Sequence, residues 1–478
     1  MSVVEWRLRP EPAAGVEAVV LPVHAGELPP SLSPVFLAGS GFTGAVGQSL
    51  QLPGDPVTVL LGCGPRGELD RAAVRGAAAG LARAVRGYRR LALRPPSADL
   101  GPLVEGYLLG GYRFAGYRTA AAEPPDQRID VLAADRPEAR SGLFAGRRLG
   151  EAVLLARDLV NEPGGELTPR RFAERAVEVA AGSGLECEVW DADRIAAERL
   201  GGLLGVGRGS LQPPRLVRLG YRPPRAARPG QAARSARRIA LVGKGVTFDA
   251  GGLSLKPNAQ LVDMKADMAG AAAVLGAMSV LADLGCPVAV DGWLPLTENM
   301  PNADPARIGD VLRMRDGRTV EIRNADAEGR LILADALVLA GESRPDAIID
   351  IATLTDAAAV ALGRRIAALM GTDPALTGRL QAAGTRAGEP NWPLPLPDVY
   401  RGRLNSGVAD LVNYTIGTRH GTALLAGLFL REFVPAGLPW AHLDIQGTAL
   451  SDTDDGEWTA GATGFGVRTL VELLTSGG

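Results

Sequence analysis

Polar residues alternate with small ones in the segment NADAEGRLILADAL, residues 324–337, just before apolar residues at helical spacing. Asp326, Glu328 and Arg330 occupy every second position there, and the preceding RTVEI predicts a short strand. Helix capping accounts for one carboxylate, because the unpaired N–H groups at a helix N-terminus favour negative charge. Capping leaves the second carboxylate and the arginine without a role, while Gly329 allows the backbone to approach another group closely. This strand-to-helix junction is therefore a candidate site of chemistry.

A second polar stretch, LVGKGVTFDAGGLSLK, carries Lys244, Asp249 and Lys256 around a turn made by two glycines. It lacks the spacing of a phosphate-binding P-loop, and no helix follows it directly. Asp267 then precedes an apolar run, residues 268–282, which predicts a buried helix too short to span a membrane. Taken alone, Asp267 is a helix N-cap.

These polar residues share one place in the predicted fold, because each follows a strand or begins a helix. In α/β sheets the ligand crevice lies at the carboxyl ends of the strands, so they could converge there. The set comprises Lys244, Asp249, Asp267, Asp326 and Glu328. Four neighbouring carboxylates repel one another and cannot all ionise without cations. Two divalent cations balance them, and oxygen ligation without histidine suits Zn²⁺, Mn²⁺ or Mg²⁺ in a two-metal site.

Lys244 has two interpretations. As a metal ligand it must be neutral, which requires neighbouring cations to lower its pKa from a reference value of about 10.4. The ordinary role of such a lysine is an ion pair with one of the carboxylates. The residue types alone leave this choice open.

The elements around these residues predict an α/β protein, and a length of 478 residues suggests two domains. Alternating strands and helices predict a small N-terminal α/β domain over residues 1–140, a connecting helix over 141–165, and a large C-terminal domain over 166–478. The large domain is predicted to contain a mixed, mostly parallel sheet flanked by helices. Its predicted strands are RIALVGKGVTF, PVAVDGWLPL, AIIDIATL, IAALMG and WAHLDI, and its predicted helices lie near 268–284, 330–341, 422–433 and 464–474.

Composition excludes several classes of function. A net charge of −2 gives the surface no overall attraction for nucleic acid or anionic lipid. The start MSVVEWRLRPEP has no long apolar core and does not resemble a signal peptide. The three cysteines lack metal or redox spacing, which fits a reducing cytoplasm. With only three histidines, a histidine-rich zinc site is excluded, so any metal chemistry must depend on carboxylates.

The segments VGKGVTFDAGG, LSLK, MKADMAGAAAV and NADAEGRL resemble the successive signatures of the leucine aminopeptidase (cytosol aminopeptidase) family of binuclear metal aminopeptidases. RDLVNEPGGELTP, IATLT and WAHLDIQGTA also match in order. The resemblance covers essentially the whole C-terminal domain and makes it the catalytic metallopeptidase domain, whereas the N-terminal domain matches only in general organisation. It implies a cytoplasmic, metal-dependent leucyl-type aminopeptidase that forms a homohexamer and acts on peptides with a free N-terminus.

The resemblance also implies roles for individual residues. It makes Lys244 and the four carboxylates the metal ligands, and places Lys256 against the substrate carbonyl. It assigns Arg330 to a bound bicarbonate that serves as proton acceptor. Ala325 stands where the family usually has threonine, and FDAGG stands in place of FDSGG. Neither change removes a ligand or a catalytic group.

Asp356 is a larger departure, because the family usually has glycine after TLT. By motif position, Thr353, Leu354 and Asp356 run along the wall of the pocket for the substrate's first side chain, with Met264 nearby. An aspartate there narrows the pocket and favours a cationic side chain over an apolar one. Alternatively, DAAAVAL forms a short helix with Asp356 as its N-cap.

Two other functions are alternatives to this interpretation. A DNA-binding accessory protein, as some bacterial relatives are, rests only on the basic segment RPPRAARPGQAARSARR, residues 222–238. That segment has no interleaved aromatic residue and is typical of a solvated loop. A catalytically inactive structural relative is the second alternative, and the intact ligand set with Lys256 and Arg330 argues against it.

Overall fold

The computed structural model describes residues 4–119, 125–224, 237–417 and 420–476. The chain divides into two compact units, Met1–Leu154 with Ser451–Gly461, and Leu155–Leu450 with Ala462–Gly478. The domain boundaries at residues 140 and 165 stay a prediction. Most of the basic segment 222–238 lies outside the described residues, so its interpretation as a loop stays a prediction too.

The first unit contains a sheet in which six strands of the described chain follow the order β1-β6-β5-β2-β4-β3. All neighbours are parallel except β3 and β4 at one edge. The strands are β1 Val4–Arg9, β2 Ala18–Val23, β3 Ser49–Leu52, β4 Val57–Gly62, β5 Arg90–Leu93 and β6 Gln127–Leu132. The same part of the chain contains the helices α1 Pro34–Ser40, α2 Arg71–Ala84, α3 Gly101–Gly111 and α4 Pro137–Asn161.

The second unit contains a larger mixed sheet, in which nine strands of the described ranges take part. Eight follow the order β16-β15-β18-β14-β9-β11-β8-β7, and β10 pairs with β11. The strands of this part of the chain are β7 Glu186–Trp190, β8 Arg215–Tyr221, β9 Arg238–Gly243, β10 Gly245–Asp249, β11 Ala289–Asn299, β12 Val311–Arg313, β13 Thr319–Glu321, β14 Ala347–Ala352, β15 Ala367–Gly371, β16 Asn391–Pro393, β17 Leu411–Val412, β18 Trp440–Asp444, β19 Leu450–Ser451 and β20 Gly461–Ala462. The short strands β12, β13 and β17 form a separate sheet, and β19 pairs with β20.

Helices surround the central strands of the larger sheet. They are α5 Pro169–Ser183, α6 Ala192–Ala197, α7 Gly201–Gly207, α8 Asn258–Leu261, α9 Ala269–Met278, α10 Gly329–Glu342, α11 Asp356–Leu362, α12 Pro374–Ala387, α13 Thr422–Arg431 and α14 Val467–Thr475. Strands β9, β11 and β14 are buried along almost their whole length, as expected for strands covered on both faces. Helices α9 and α10 both pack against these three strands. The predicted fold class is confirmed.

One predicted strand is two strands in the structure. RIALVGKGVTF was expected to be continuous, but β9 ends at Gly243 and β10 begins at Gly245. Between them, the Lys244 N–H donates to the Ile351 carbonyl, and the Lys244 carbonyl accepts from the Ala271 N–H. These bonds join the chain to the end of β14 and the start of α9, so the continuous-strand prediction is wrong at this residue.

None of the described helices combines the length and apolar character needed to cross a membrane.

Candidate active site

Four strands of the larger sheet end close together, and a polar residue stands at each end. Lys244 follows β9, Asp249 ends β10, Asn299 ends β11 and Thr353 follows β14. Strand β11 is parallel to β9 and β10, and β9 is parallel to β14, so their carboxyl ends share one edge. This edge is where α/β proteins form ligand crevices.

Two helices begin at the same edge and supply further charged side chains. Asp267 lies between a 3₁₀ turn, Met264–Ala266, and helix α9. Glu328 immediately precedes α10, and Arg330 is in its first turn. The segment NADAEGR therefore forms a connection that leads into helix α10.

Lys244 lies at the centre of one group of contacts and is only 3% exposed. Its Nζ is 2.7 Å from Asp267 Oδ1 and 3.0 Å from Glu328 Oε1, and it donates to the Thr353 carbonyl at 2.7 Å. A Cβ atom on Gly329 would lie 2.5 Å from Lys244 Cε. The close approach expected at Gly329 is thus an approach to Lys244, and a larger residue would displace the lysine.

Lys256 pairs with the other two carboxylates. Its Nζ is 2.8 Å from Asp249 Oδ2 and 2.5 Å from Asp326 Oδ1. The Lys256 side chain is 12% exposed and that of Asp326 is 29% exposed, whereas Asp249 is buried. This pair is therefore the more open part of the cluster, where a substrate could approach.

Asn299 was not among the residues singled out from the sequence, yet it contacts the same cluster. Its Nδ2 donates to Asp249 Oδ1 at 2.8 Å and to the Ala325 carbonyl at 3.0 Å, and lies 3.5 Å from Glu328 Oε2. A side-chain amide that contacts two carboxylates orients both. The predicted strand PVAVDGWLPL stops three residues before Asn299, so no signal in the sequence marked this residue.

Burial and mutual repulsion perturb the acids strongly. Burial raises the pKa of Asp249 and raises the pKa of Asp267 well above its ordinary value. Burial, followed by the charges of Asp249 and Glu328, raises the pKa of Asp326 to about 7. Burial also acts to raise the pKa of Glu328, but the two neighbouring lysines outweigh it and leave that pKa lowered. Without cations, the four acids are thus not all ionised at neutral pH.

Burial acts on the pKa values of the two lysines in the opposite direction, but it does not decide them. Burial lowers the pKa of Lys244, but the charges of Asp267, Glu328 and Asp249 outweigh burial and leave it raised. The same balance of burial against carboxylate charge raises the pKa of Lys256. In the structure, Lys244 therefore occupies the ion pair that was its alternative interpretation.

The donor set fits divalent cations. One oxygen from each of Asp249, Asp326 and Glu328 lies within 4.8 Å of the others, a spacing that can hold a metal ion. Asp267 Oδ2 is buried and has no hydrogen-bond partner among the described residues. Buried carboxylate oxygens are costly unless they are paired, and hard divalent cations prefer oxygen ligands. A bound cation would give these carboxylate oxygens the partner that the protein groups do not provide.

Arg330 lies apart from these ion pairs. It is buried, its Nη1 donates to the Asn413 carbonyl at 2.8 Å, and its Nε has no hydrogen-bond partner in the described chain. Burial lowers the pKa of Arg330 to about 10, so the guanidinium remains charged at neutral pH. A buried cation with a free donor is suited to binding a small anion.

The residues predicted to line the substrate pocket lie on two segments. Met264 is in the 3₁₀ turn before Asp267, and Thr353 donates its hydroxyl proton to Asp267 Oδ1 at 2.8 Å. The next residue, Leu354, is half-buried, and its N–H donates to Asp444 Oδ1 at 3.1 Å. Thr353 is therefore in direct contact with the carboxylate cluster.

Asp356 is exposed at the first residue of α11. The N-cap of this helix is Thr355, whose hydroxyl oxygen accepts from the Ala358 N–H at 3.2 Å. The alternative interpretation of Asp356 as the N-cap is therefore wrong. Its expected contact with a substrate side chain stays a prediction.

An acid-lined cation site at the carboxyl ends of a mostly parallel sheet is typical of metal-dependent hydrolases. The particular family follows from comparison with known proteins. The chain belongs to the cytosol aminopeptidase family: the model of its catalytic domain matches residues 154–471, and the model of its N-terminal domain matches residues 35–121.

Curated relatives agree with this assignment. A probable cytosol aminopeptidase of Leifsonia xyli is 46% identical over 91% of this chain and 89% of its own length. A probable cytosol aminopeptidase of Streptomyces coelicolor is 41% identical over 97% of this chain and 96% of its own length. The protein is thus a metal-dependent aminopeptidase of the leucyl type.

Solved structures agree as well. The bottromycin maturation enzyme BotP in complex with Mn is 43% identical, with a TM-score of 0.87 over 97% of this chain and 99% of that one. A variant of tomato leucine aminopeptidase is 28% identical, with a TM-score of 0.88 over 99% of this chain and 97% of that one. Both cover nearly the whole chain.

Proposed function

We propose that the protein releases N-terminal amino acids from peptides with two divalent cations held by Lys244, Asp249, Asp267, Asp326 and Glu328. The observation that carries this proposal is the imbalance of buried charge, since four carboxylates face only two lysines. Asp267 Oδ2, for which the described ranges contain no hydrogen-bond partner, supports it, because an oxygen buried without a donor is costly unless a cation binds there.

When bound, two divalent cations polarise the substrate carbonyl, acidify an attacking water and can bind the substrate's free α-amino group. The role of Lys244 as a ligand requires the neutral amine, and so the release of its proton and of its ion pairs with Asp267 and Glu328. Asn299 holds Asp249 and Glu328 in place through its side-chain amide. A requirement for the free amine makes the enzyme an exopeptidase.

Lys256 is the proposed electrophile of the site. Its ammonium group is the least buried cation of the cluster and is held by Asp249 and Asp326. Placed against the substrate carbonyl, it would stabilise the oxyanion that develops when water attacks the amide.

Arg330 is the proposed binding residue for a bicarbonate, which would supply the proton-accepting oxygen. Arg330 Nε has no hydrogen-bond partner in the described part of the chain, which supports anion binding, because an unpaired buried donor is costly. The arginine contributes a fixed positive charge, since its pKa of about 10 is well above neutral pH.

The localisation, the oligomeric state, the identity of the metals and the substrate pocket are also proposals. We infer a cytoplasmic homohexamer, with Zn²⁺ or Mn²⁺ as the bound metals and Mg²⁺ as a further option. The BotP structure with Mn supports a divalent transition metal. Met264, Thr353, Leu354 and Asp356 are proposed to line the pocket for the first side chain. DNA binding and catalytic inactivity gain no support from the described residues.

The proposal is tested by hydrolysis of aminoacyl substrates after the metal has been stripped. The stripped protein is expected to be inactive and to recover activity with Zn²⁺, Mn²⁺ or Mg²⁺, with a requirement for a free α-amino group. Hydrolysis by protein that contains no metal, or equal hydrolysis of N-acetylated substrates, would contradict the proposal.

A further inference from the structure

Asn413 lies beside the segment that carries two of the proposed ligands. It follows β17, which is parallel to β13, with Val320 paired to Leu411 and Glu321 paired to Val412. The Asn413 N–H continues this pairing by donating to the Glu321 carbonyl at 3.1 Å. Because parallel neighbours end at the same edge, this register brings Asn413 next to residues 323–328.

The side chain of Asn413 makes every hydrogen bond that an amide can make. It is completely buried. Its Oδ1 accepts from the N–H groups of Arg323 and Asn324 at 2.8 and 3.3 Å. Its Nδ2 donates to the carbonyls of Asn324 and Ala327 at 2.7 and 3.3 Å. These four bonds use both lone pairs and both protons, and they surround the backbone on either side of Asp326.

The backbone of the same residue holds the buried arginine. The Asn413 carbonyl accepts from Arg330 Nη1 at 2.8 Å, and Arg330 Nε has no hydrogen-bond partner in the described chain. One residue therefore contacts the loop of Asp326 and Glu328 through its side chain and Arg330 through its carbonyl. Its separation from Arg330 in the sequence is 83 residues, so neighbouring positions in the chain do not explain the contact.

We infer that Asn413 is a positioning residue that sets the placement of Arg330 relative to the carboxylates of residues 326 and 328. The part that acts through Arg330 rests on the proposed function. An acid on this loop and an arginine one helical turn away must both face the same substrate, and small displacements of catalytic groups reduce rates by about 100-fold. A purely structural asparagine would instead contribute to folding stability and leave the chemistry of the folded enzyme unchanged.

The first test is Asn413→Ala, measured well below its melting temperature. We expect kcat to fall by about 10- to 100-fold and the affinity of the stripped protein for Mn²⁺ to fall by a similar factor, as for other residues that orient ligands. The expected change in KM is less than about threefold, because the alanine removes no group that contacts substrate. Asn405→Ala is the control for an exposed asparagine of the same segment, and Thr469→Ala is the control for a lost buried hydrogen bond to Glu389. Both controls should keep the wild-type kcat and Mn²⁺ affinity.

The second test is a double-mutant cycle between Asn413→Ala and Arg330→Ala. If Asn413 acts partly through Arg330, the double variant loses less activity than the product of the two single losses, by at least about fivefold. Independent effects that multiply would overturn the inference. So would a wild-type kcat and Mn²⁺ affinity in folded Asn413→Ala.

The outcomes separate this inference from the proposed function. The proposed function is contradicted if the wild type does not bind Mn²⁺ or if Arg330→Ala keeps the wild-type rate. In either case, the role of Asn413 is judged from the kcat of Asn413→Ala alone. Normal behaviour of the wild type and Arg330→Ala, with no loss in Asn413→Ala, counts against the inference alone. If Asn413→Ala does not fold, Asn413→Ser replaces it in the same cycle, because its hydroxyl keeps one donor and one acceptor.

Discussion

Two buried groups of charged residues in the second unit differ in how completely their charges are balanced. Glu389 is 1% exposed and is fully satisfied by Arg468 Nε at 3.2 Å and by the N–H and hydroxyl of Thr469 at 2.8 and 2.7 Å. In the candidate active site, four carboxylates face two lysines, and one buried oxygen of Asp267 has no donor among the described residues. A balanced group needs no ligand, whereas an unbalanced one is completed by cations. We therefore interpret the first as structural and the second as functional.

The largest expected effect is on activity at the unbalanced site. Asp249→Ala or Glu328→Ala should abolish peptide hydrolysis and lower the metal content, because each removes a negative charge that would offset the cations. The variants should remain folded, so that the loss of metal is separable from a loss of structure. Activity assays, metal quantification and urea unfolding measure these changes. Full activity with an unchanged metal content would break the comparison.

The balanced group should respond in the reverse way. Glu389→Ala removes the buried carboxylate that Arg468 and Thr469 contact, so we expect the free energy of unfolding to fall by about 3–5 kcal/mol. The remaining folded protein should keep the wild-type metal content and kcat. Denaturant unfolding combined with metal quantification checks both parts, and a loss of metal from the folded variant would contradict the assignment of this group as structural.

Lys256 tests the chemistry within the unbalanced site. Lys256→Ala is expected to lower kcat by about 10²- to 10³-fold, the usual effect of losing one group that stabilises an oxyanion. Metal should stay bound, because the variant leaves all four carboxylates in place. Steady-state kinetics on metal-loaded protein measure this change in kcat. A variant that merely unfolds would instead indicate that the lysine is structural.

Asp356 tests the preference for the substrate's first side chain. In Asp356→Gly we expect the ratio of kcat/KM for leucyl over arginyl substrates to rise by about tenfold, because a carboxylate that attracts cationic side chains is lost. Lysyl substrates should follow arginyl ones. An unchanged ratio would show that this exposed residue lies away from the substrate.

A further prediction concerns a structural carboxylate with backbone partners. Asp335 accepts from the N–H groups of Gly202, Leu203 and Arg315, and burial outweighs these donors and raises its pKa to about 7. Its pKa when unfolded is lower, about 3.9, so the folded state binds the additional proton between about pH 4 and 7. The free energy of unfolding contributed by this group therefore falls as pH rises through that range, by at most about 1.4 kcal/mol per pH unit. Asp335→Asn lacks this contribution, so the free energy of unfolding of the wild type minus that of the variant should fall as pH rises from about 4 to 7. A difference that does not change with pH would contradict the prediction.

Much of this arrangement was predictable because its signals are local. The alternation in NADAEGR and the end of a predicted strand at Asp249 place these residues at one sheet edge, where they lie in the structure. The fold class followed from strand and helix periodicity in the same way. The roles of these residues in catalysis stay predictions.

The features that were missed depend on distant partners. Asn299 contacts Asp249 from 50 residues away, and Asn413 contacts Asn324 from 89 residues away, so no local pattern marks either asparagine. The interruption between β9 and β10 arises from bonds to Ile351 and Ala271, which are separate in the sequence. Likewise, nothing in the composition of Ser451–Gly461 indicates that it joins the first unit. Long-range hydrogen bonds and packing determine all of these features.

The central claim is that the unbalanced carboxylates hold two cations, and a count of bound metal tests it most directly. Metal-stripped wild-type protein is dialysed against Mn²⁺, and the ions bound per chain are measured beside Asp249→Ala and Glu389→Ala. We predict two ions per chain for the wild type and for Glu389→Ala, and fewer for Asp249→Ala. A wild-type chain that is fully active with one ion or none would contradict the claim.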